Sequence, residues 1–156
     1  FPVGAFWVSD RLTSRDKPLF QLLGAGSHGS TFGGSPLACT AALAVLREVI
    51  DKNLPQRAIQ HGQTIQTSVE SWQHRAVTEI RGKGLLLGIG LRAAAFDAPE
   101  NTPASIYLST ELAKAGLLAP PAGPDTVRLM PPLTVSEEEI QEALGIFKYT
   151  LDSICN

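Results

Sequence analysis

The stretch Gly24-Ala25-Gly26-Ser27-His28-Gly29-Ser30-Thr31-Phe32-Gly33-Gly34-Ser35-Pro36 runs directly into a strongly apolar segment that begins at Leu37. Five glycines open backbone angles closed to other residues and let a ligand approach the main chain, while Ser27, Ser30, Thr31 and Ser35 add hydroxyl donors. Such a loop reads as an anion cradle, and phosphate is its natural guest where the loop meets the positive N-terminus of a helix. Ser35 is a good N-cap and Pro36 suits the first helical position, so a helix is predicted to start there. Composition alone favours a plainer reading, a surface turn that binds nothing, because Gly and Ser enrich in loops for structural reasons.

Downstream of the loop, apolar positions 38, 41, 42, 45, 46, 49 and 50 follow the helical period to about Lys52. Asn53-Leu54-Pro55 breaks that helix, and Ala58, Gly62, Ile65, Val69 and Trp72 mark one stripe of a second, ending near His74. The pattern then turns to strands at Val77 to Ile80 and Leu85 to Leu91, separated by Gly82-Lys83-Gly84. Gly88 and Gly90 are expected on one face of the second strand, leaving room for another element. Thr102-Pro103 opens a helix that Gly116 closes, and Leu117 to Ala119 and Thr126 to Leu129 read as strands around a proline-rich turn. The last helix has the clearest local grammar: Ser136 as N-cap, Glu139 completing a capping box, three acids in the first turn, and Val135 against Ile140 as a staple. Upstream of the loop, Ala5 to Val8 reads as a strand, Ser9 to Pro18 as a polar surface segment, and Leu19 to Leu23 as a short apolar piece.

Composition narrows the classes of function. The 156 residues carry Lys+Arg 13 against Asp+Glu 15, a formal net charge of −2, which gives no electrostatic reason to expect nucleic acid or an anionic membrane as partner. No apolar run approaches the roughly 20 residues of a membrane span. Cys39 and Cys155 lie far apart and no Cys/His set has metal-ligand spacing, so buried free thiols and no metal site are expected. A cytosolic or organelle-matrix setting fits. The chain opens without Met on the apolar Phe1-Pro2-Val3-Gly4-Ala5-Phe6-Trp7-Val8, which reads as the interior of a longer polypeptide.

Gly24-Ala25-Gly26-Ser27-His28-Gly29 also matches the letters of the dinucleotide fingerprint G-x-G-x-x-G, with Glu48 and Asp51 near the distance of its acidic residue. In that fingerprint the helix opens within the glycines, whereas here Thr31 to Pro36 intervene. A Walker loop needs Gly-Lys-Ser/Thr at its end, and the run has none. The alternative that survives is a non-catalytic phosphate- or nucleotide-binding module built on the Gly24 to Pro36 loop.

His28-Gly29-Ser30-Thr31-Phe32-Gly33-Gly34-Ser35-Pro36-Leu37-Ala38-Cys39 closely resembles the HGSTFGGNPLAC segment of class-III aminotransferases, the pyridoxal-phosphate enzymes that include acetylornithine and ornithine aminotransferases. Three further segments resemble the same family in the same order. Phe1-Pro2-Val3-Gly4-Ala5 is similar to the segment after the Schiff-base lysine and its glycines, Ile80-Arg81-Gly82-Lys83-Gly84-Leu85-Leu86-Leu87-Gly88-Ile89 to RGxGLMxGI, and Val127-Arg128-Leu129-Met130-Pro131-Pro132-Leu133-Thr134 to VxRLLPPLT. Ser35 stands for the family's usual Asn, which keeps the capping ability, and Gly90 stands where the family often carries Glu.

The resemblance implies an α/β chain forming the C-terminal part of a fold-type-I transferase. Residues 1–53 would end the large cofactor-binding domain with its connecting helix, and 54–156 would form a small C-terminal domain of α+β type. It implies that Thr31, with Ser30 beside it, binds the phosphate of pyridoxal 5'-phosphate in the neighbouring subunit of a homodimer, and that Arg128 grips the α-carboxylate of the amino or 2-oxo acid substrate. The rigid fork of an arginine suits a planar carboxylate. The implied reaction moves an amino group between N-acetylornithine, or a related ω-amino substrate, and 2-oxoglutarate, in arginine metabolism, in the cytoplasm or the mitochondrial matrix. The Schiff-base lysine is expected upstream of Phe1, so no catalytic residue is assigned here and the chain alone is expected to be inactive. Arg81 and Lys83 read as structural or solvated, and His28, His61 and His74 as no ligand set.

Overall fold

Ser35 adopts an extended backbone and its hydroxyl accepts the Ala38 N–H at 3.3 Å, which starts α1 (Pro36–Asp51) with Pro36 where a missing N–H does no harm. The computed structural model describes residues 2–11, 17–24 and 26–155, and it divides into two units, Phe1–Lys52 and Asn53–Asn156. In the first, α1 is preceded among the described residues by one short 3-10 helix, Leu19–Leu22. The strand expected at Ala5 to Val8 is not formed. A strand needs a ladder partner for its backbone groups, and the segment has none among the described residues. Part of the polar segment expected between Ser9 and Pro18 lies outside the described residues.

The second unit is an α+β fold. Asn53 takes the left-handed conformation at φ 48° and turns the chain into α2 (Leu54–Ser71). A three-stranded antiparallel sheet follows in the order β1 (Val77–Lys83), β2 (Leu86–Leu91), β3 (Thr126–Leu129), with α3 (Ala104–Lys114) between β2 and β3 and α4 (Glu137–Ile154) at the end. Gly82 and Lys83 belong to β1 rather than to the break expected there, and the turn is confined to Gly84 and Leu85. Leu117 to Ala119 is no strand. The prolines that follow have no N–H to give a ladder, and pairing shrinks to one bridge between Pro121 and Val127.

Side-chain alternation divides the sheet sharply. Leu87, Ile89 and Leu91 of β2 are buried, and Ile89 sits in one row with Ile80 of β1 and Val127 of β3. They join Ile65 and Val69 of α2, Leu108 and Leu112 of α3, and Leu144, Phe147 and Leu151 of α4 in one apolar core. Gly62 lets α2 approach the turn after β1 so closely that a Cβ there would lie 2.7 Å from the Gly84 carbonyl carbon. The capping box of α4 is complete: Ser136 Oγ accepts the Glu139 N–H at 3.2 Å, and Glu139 Oε2 accepts the Ser136 N–H at 2.8 Å. Among the described residues no helix is long and apolar enough to cross a membrane.

Candidate functional site

The loop before α1 gains its shape from its own short hydrogen bonds. Ser27 donates through both its hydroxyl (2.7 Å) and its N–H (3.1 Å) to the Gly24 carbonyl, Ser30 Oγ accepts the Gly33 N–H at 3.0 Å, and the Ser35 N–H donates to Phe32 O at 3.3 Å. Gly34 sits at φ 76°, a conformation that side chains disfavour. His28 packs edge-on against Phe6, with ring centroids 6.3 Å apart. That contact gives His28 a packing role inside its own unit.

Ser30 and Thr31 are both exposed. Ser30 spends an oxygen lone pair on Gly33 and keeps its own O–H proton to donate, while the Thr31 hydroxyl has no hydrogen-bond partner among the described residues. The helix start itself offers less than its sequence promises. Pro36 has no N–H and the Ala38 N–H is already taken by Ser35, so of the first turn of α1 the Leu37 N–H is left among the described residues, beside these two hydroxyls. Neutral hydroxyl and backbone donors at a glycine-rich surface fit a phosphate group. The dinucleotide reading fits poorly: a 3-10 helix rather than a strand precedes the glycines, and the helix opens only at Pro36.

In the second unit Arg128 lies on β3 opposite Gly88, which lies opposite Arg81 on β1. Registered residues share a sheet face, so Arg81, Gly88 and Arg128 stand on the side away from the Ile80, Ile89 and Val127 row. Arg128 is half-buried, its N–H donates to Pro120 O at 2.9 Å, and its guanidinium has no hydrogen bond or ion pair among the described residues. Arg81 is engaged through both Nη atoms. One Nη forms an ion pair with Glu79, and the other donates to Thr126 Oγ1 at 3.1 Å.

Arg81 reaches Thr126 only because β2 is bare between them. A Cβ on Gly88 would come within 3.3 Å of the Thr126 methyl, and one on Gly90 would strike Thr78 Oγ1 at 2.6 Å and Glu79 Cγ at 3.0 Å. The room expected beside these glycines is therefore filled by side chains of the flanking strands. On the other side of β3, Leu129, Met130 and Pro132 help to line an apolar cavity of about 280 Å³ with Leu118, Ile140 and Phe147. Arg128 does not line it. Glu79 and Thr126 carry no motif signal, and only the strand register shows that they surround Arg81. His61 is buried with no hydrogen-bond partner for Nε2 among the described residues.

Residues 4–151 match the family model described as aminotransferase class-III. The chain belongs to the class-III aminotransferases. Among its relatives in this family are the ornithine aminotransferase of Bacillus anthracis (strain CDC 684 / NRRL 3495), 36% identical over 95% of this chain and 34% of that protein, and the acetylornithine aminotransferase of Mycobacterium leprae (strain TN), 36% identical over 97% and 34%. The chain thus spans about a third of the length of the curated class-III aminotransferases it matches. Among solved structures it resembles the acetylornithine aminotransferase of Elizabethkingia anophelis, with TM-score 0.74 at 34% identity, covering 86% of this chain and 34% of that one. It is equally similar in fold to the Toxoplasma gondii ornithine aminotransferase crystallised with oxidised glutathione, with TM-score 0.74 at 29% identity, covering 86% and 31%. That structure is described as having partial occupancy of PLP at the active site.

Proposed function

We propose that this chain supplies the C-terminal part of a pyridoxal-phosphate-dependent transaminase acting on N-acetylornithine or a related ω-amino acid, with 2-oxoglutarate as acceptor, in arginine metabolism. Residues 1–53 are read as the end of the large cofactor domain and 54–156 as the small domain. The working enzyme is read as a homodimer of the cytoplasm or mitochondrial matrix. The observation that carries this reading is Arg128, a half-buried arginine whose guanidinium no described residue engages, inside a chain of this family.

Each residue's part follows from its chemistry. Ser30 and Thr31 donate hydroxyl protons to the cofactor phosphate of the neighbouring subunit and add no charge of their own, which anchors a dianion without quenching it. Arg128 presents two parallel N–H donors to the substrate α-carboxylate and so fixes which face of the α-carbon is offered for proton removal. Pyridoxal phosphate, when bound, supplies an aldehyde that takes the amino group and a ring that accepts electrons from the α-carbon. No lysine of this chain matches the one that holds the cofactor in this family, so the 156-residue chain by itself is read as inactive.

The test is Arg128→Lys in the full-length transaminase. Loss of the bidentate grip should raise KM for both the amino donor and 2-oxoglutarate by at least about tenfold, the scale of one charge-assisted pair. KM values unchanged for both substrates would remove Arg128 from the site.

A further inference from the structure

One carboxylate, Glu79, shares Arg128's face of the sheet by register, yet the two do not pair. Glu79 is in the row of Gly90 and Thr126, two residues along the strands from the row of Gly88 and Arg128, while Asp125 lies just before β3. Across a strand bearing only glycine at positions 88 and 90, nothing stands between the long side chains of β1 and those of β3. Two strand spacings and a two-residue offset along the strand amount to about 12 Å between backbones, within the combined reach of an arginine and a glutamate. Glu79 is therefore a competitor for the Arg128 guanidinium within reach. Glu79 is taken instead by Arg81, which pairs with it and ties its other Nη to Thr126, whose hydroxyl makes a long 3.4 Å contact to Asp125 Oδ1.

We propose that Arg81 is a positioning residue for Arg128: by occupying Glu79 across the bare backbone of Gly88 and Gly90, it keeps the chain's own carboxylate from Arg128 and leaves that guanidinium free for a carboxylate ligand. The functional half of this inference rests on the reading of Arg128 as the substrate-binding arginine. The shielding half does not. Because Glu79 and Arg81 are both more than half exposed, their pair contributes little to folding, and its consequence lies in the competition for Glu79.

The experiment follows the Arg128 Nε–H by NMR in the 156-residue chain. In the unaltered protein its exchange with solvent should be fast, as for an unpaired guanidinium. Arg81→Met should slow that exchange roughly threefold and shift the resonance, because Glu79 is released to Arg128; adding Glu79→Gln should restore both. Thr126→Val, which cuts the other tether while leaving Glu79 paired, should leave Arg128 unchanged and serves as the control for a general loosening of the sheet. In the full-length transaminase Arg81→Met should raise KM for 2-oxoglutarate up to about fivefold with kcat within twofold, again reversed by Glu79→Gln. An Arg81→Met effect that Glu79→Gln does not reverse, or no effect on Arg128 at all, overturns the inference. If the NMR rescue appears while Arg128→Lys leaves KM untouched, the shielding stands and the substrate reading of Arg128 is what fails.

Discussion

The two units of this chain use their apolar residues in opposite ways. In Asn53–Asn156, residues from three helices and three strands close into one core, with Leu108, Leu112, Ile89, Val127 and Leu151 wholly buried. In Phe1–Lys52, Ala38 is the one buried residue among those described, while Phe6, Trp7, Phe32, Leu43, Leu46 and Ile50 are exposed. Of the seven positions that read as a core face of α1 in the sequence, Val45, Leu46 and Ile50 are exposed, and Cys39, expected as a buried thiol, is exposed as well. The contrast teaches that the second unit contains the reasons for its own stability. The first is held by local devices: the Ser35 cap, Pro36, and the short bonds of Ser27 and Ser30.

The largest effect should separate the units. Phe147→Ala, which empties the centre of the second core beside Trp72, is expected to cost about 3–5 kcal/mol in urea unfolding of the chain, whereas Leu46→Ala on the exposed stripe of α1 should change stability by no more than about 0.5 kcal/mol. Equal costs would break the comparison. Gly62→Ala comes next. Its Cβ meets the backbone of Gly84, which cannot rotate away as a side chain can, so a loss of about 1–3 kcal/mol is expected, read as a lower urea midpoint with an unchanged slope. No loss would mean that α2 and the β1–β2 turn are less closely packed than described.

The smallest effect is one of pH. The Lys148 hydrogen bond to the Asp152 carboxylate at 2.7 Å, aided by the charge of Lys148 and by His74 at 3.5 Å, holds its pKa below the ordinary 3.8 against the opposing push of desolvation. A carboxylate whose pKa is lower folded than unfolded stabilises the protein above the unfolded value, and that contribution fades as pH falls through the folded value. Asp152→Asn should therefore narrow the stability difference between pH 6 and pH 3 measured by thermal unfolding. A difference that stays the same would show that this surface cluster adds nothing to the second unit.

What the sequence made legible was local. Ser35-Pro36 and Ser136 to Glu139 declare helix starts through side chains that reach only three residues, and α3 ends at Gly116 for a similarly local reason, its φ of 95°. The failures involve partners. Ala5 to Val8 has strand composition but no strand beside it, and Leu117 to Ala119 is followed by prolines that cannot sustain a ladder. The alternation of Leu87, Ile89 and Leu91 with Gly88 and Gly90 was readable as two faces. That Arg81 crosses the glycine face to Thr126 was not, because it depends on the register of β1 and β3, whose sequences carry no mark of each other. Thr31, Ser30 and Arg128 stood out through family resemblance rather than through any local rule.

We propose that Ser30 and Thr31 bind a phosphate, that Arg128 binds a carboxylate, and that none of this chain's lysines is the one that holds the cofactor. Incubating the chain with pyridoxal phosphate, reducing with borohydride and mapping the modified peptides tests it most directly, since reduction fixes the cofactor aldehyde to any amine it has joined. The chain has five lysines, at 17, 52, 83, 114 and 148. The account predicts slight, unselective labelling among them and no amino transfer from ornithine or N-acetylornithine to 2-oxoglutarate. Stoichiometric labelling of a single lysine, accompanied by turnover, would contradict it.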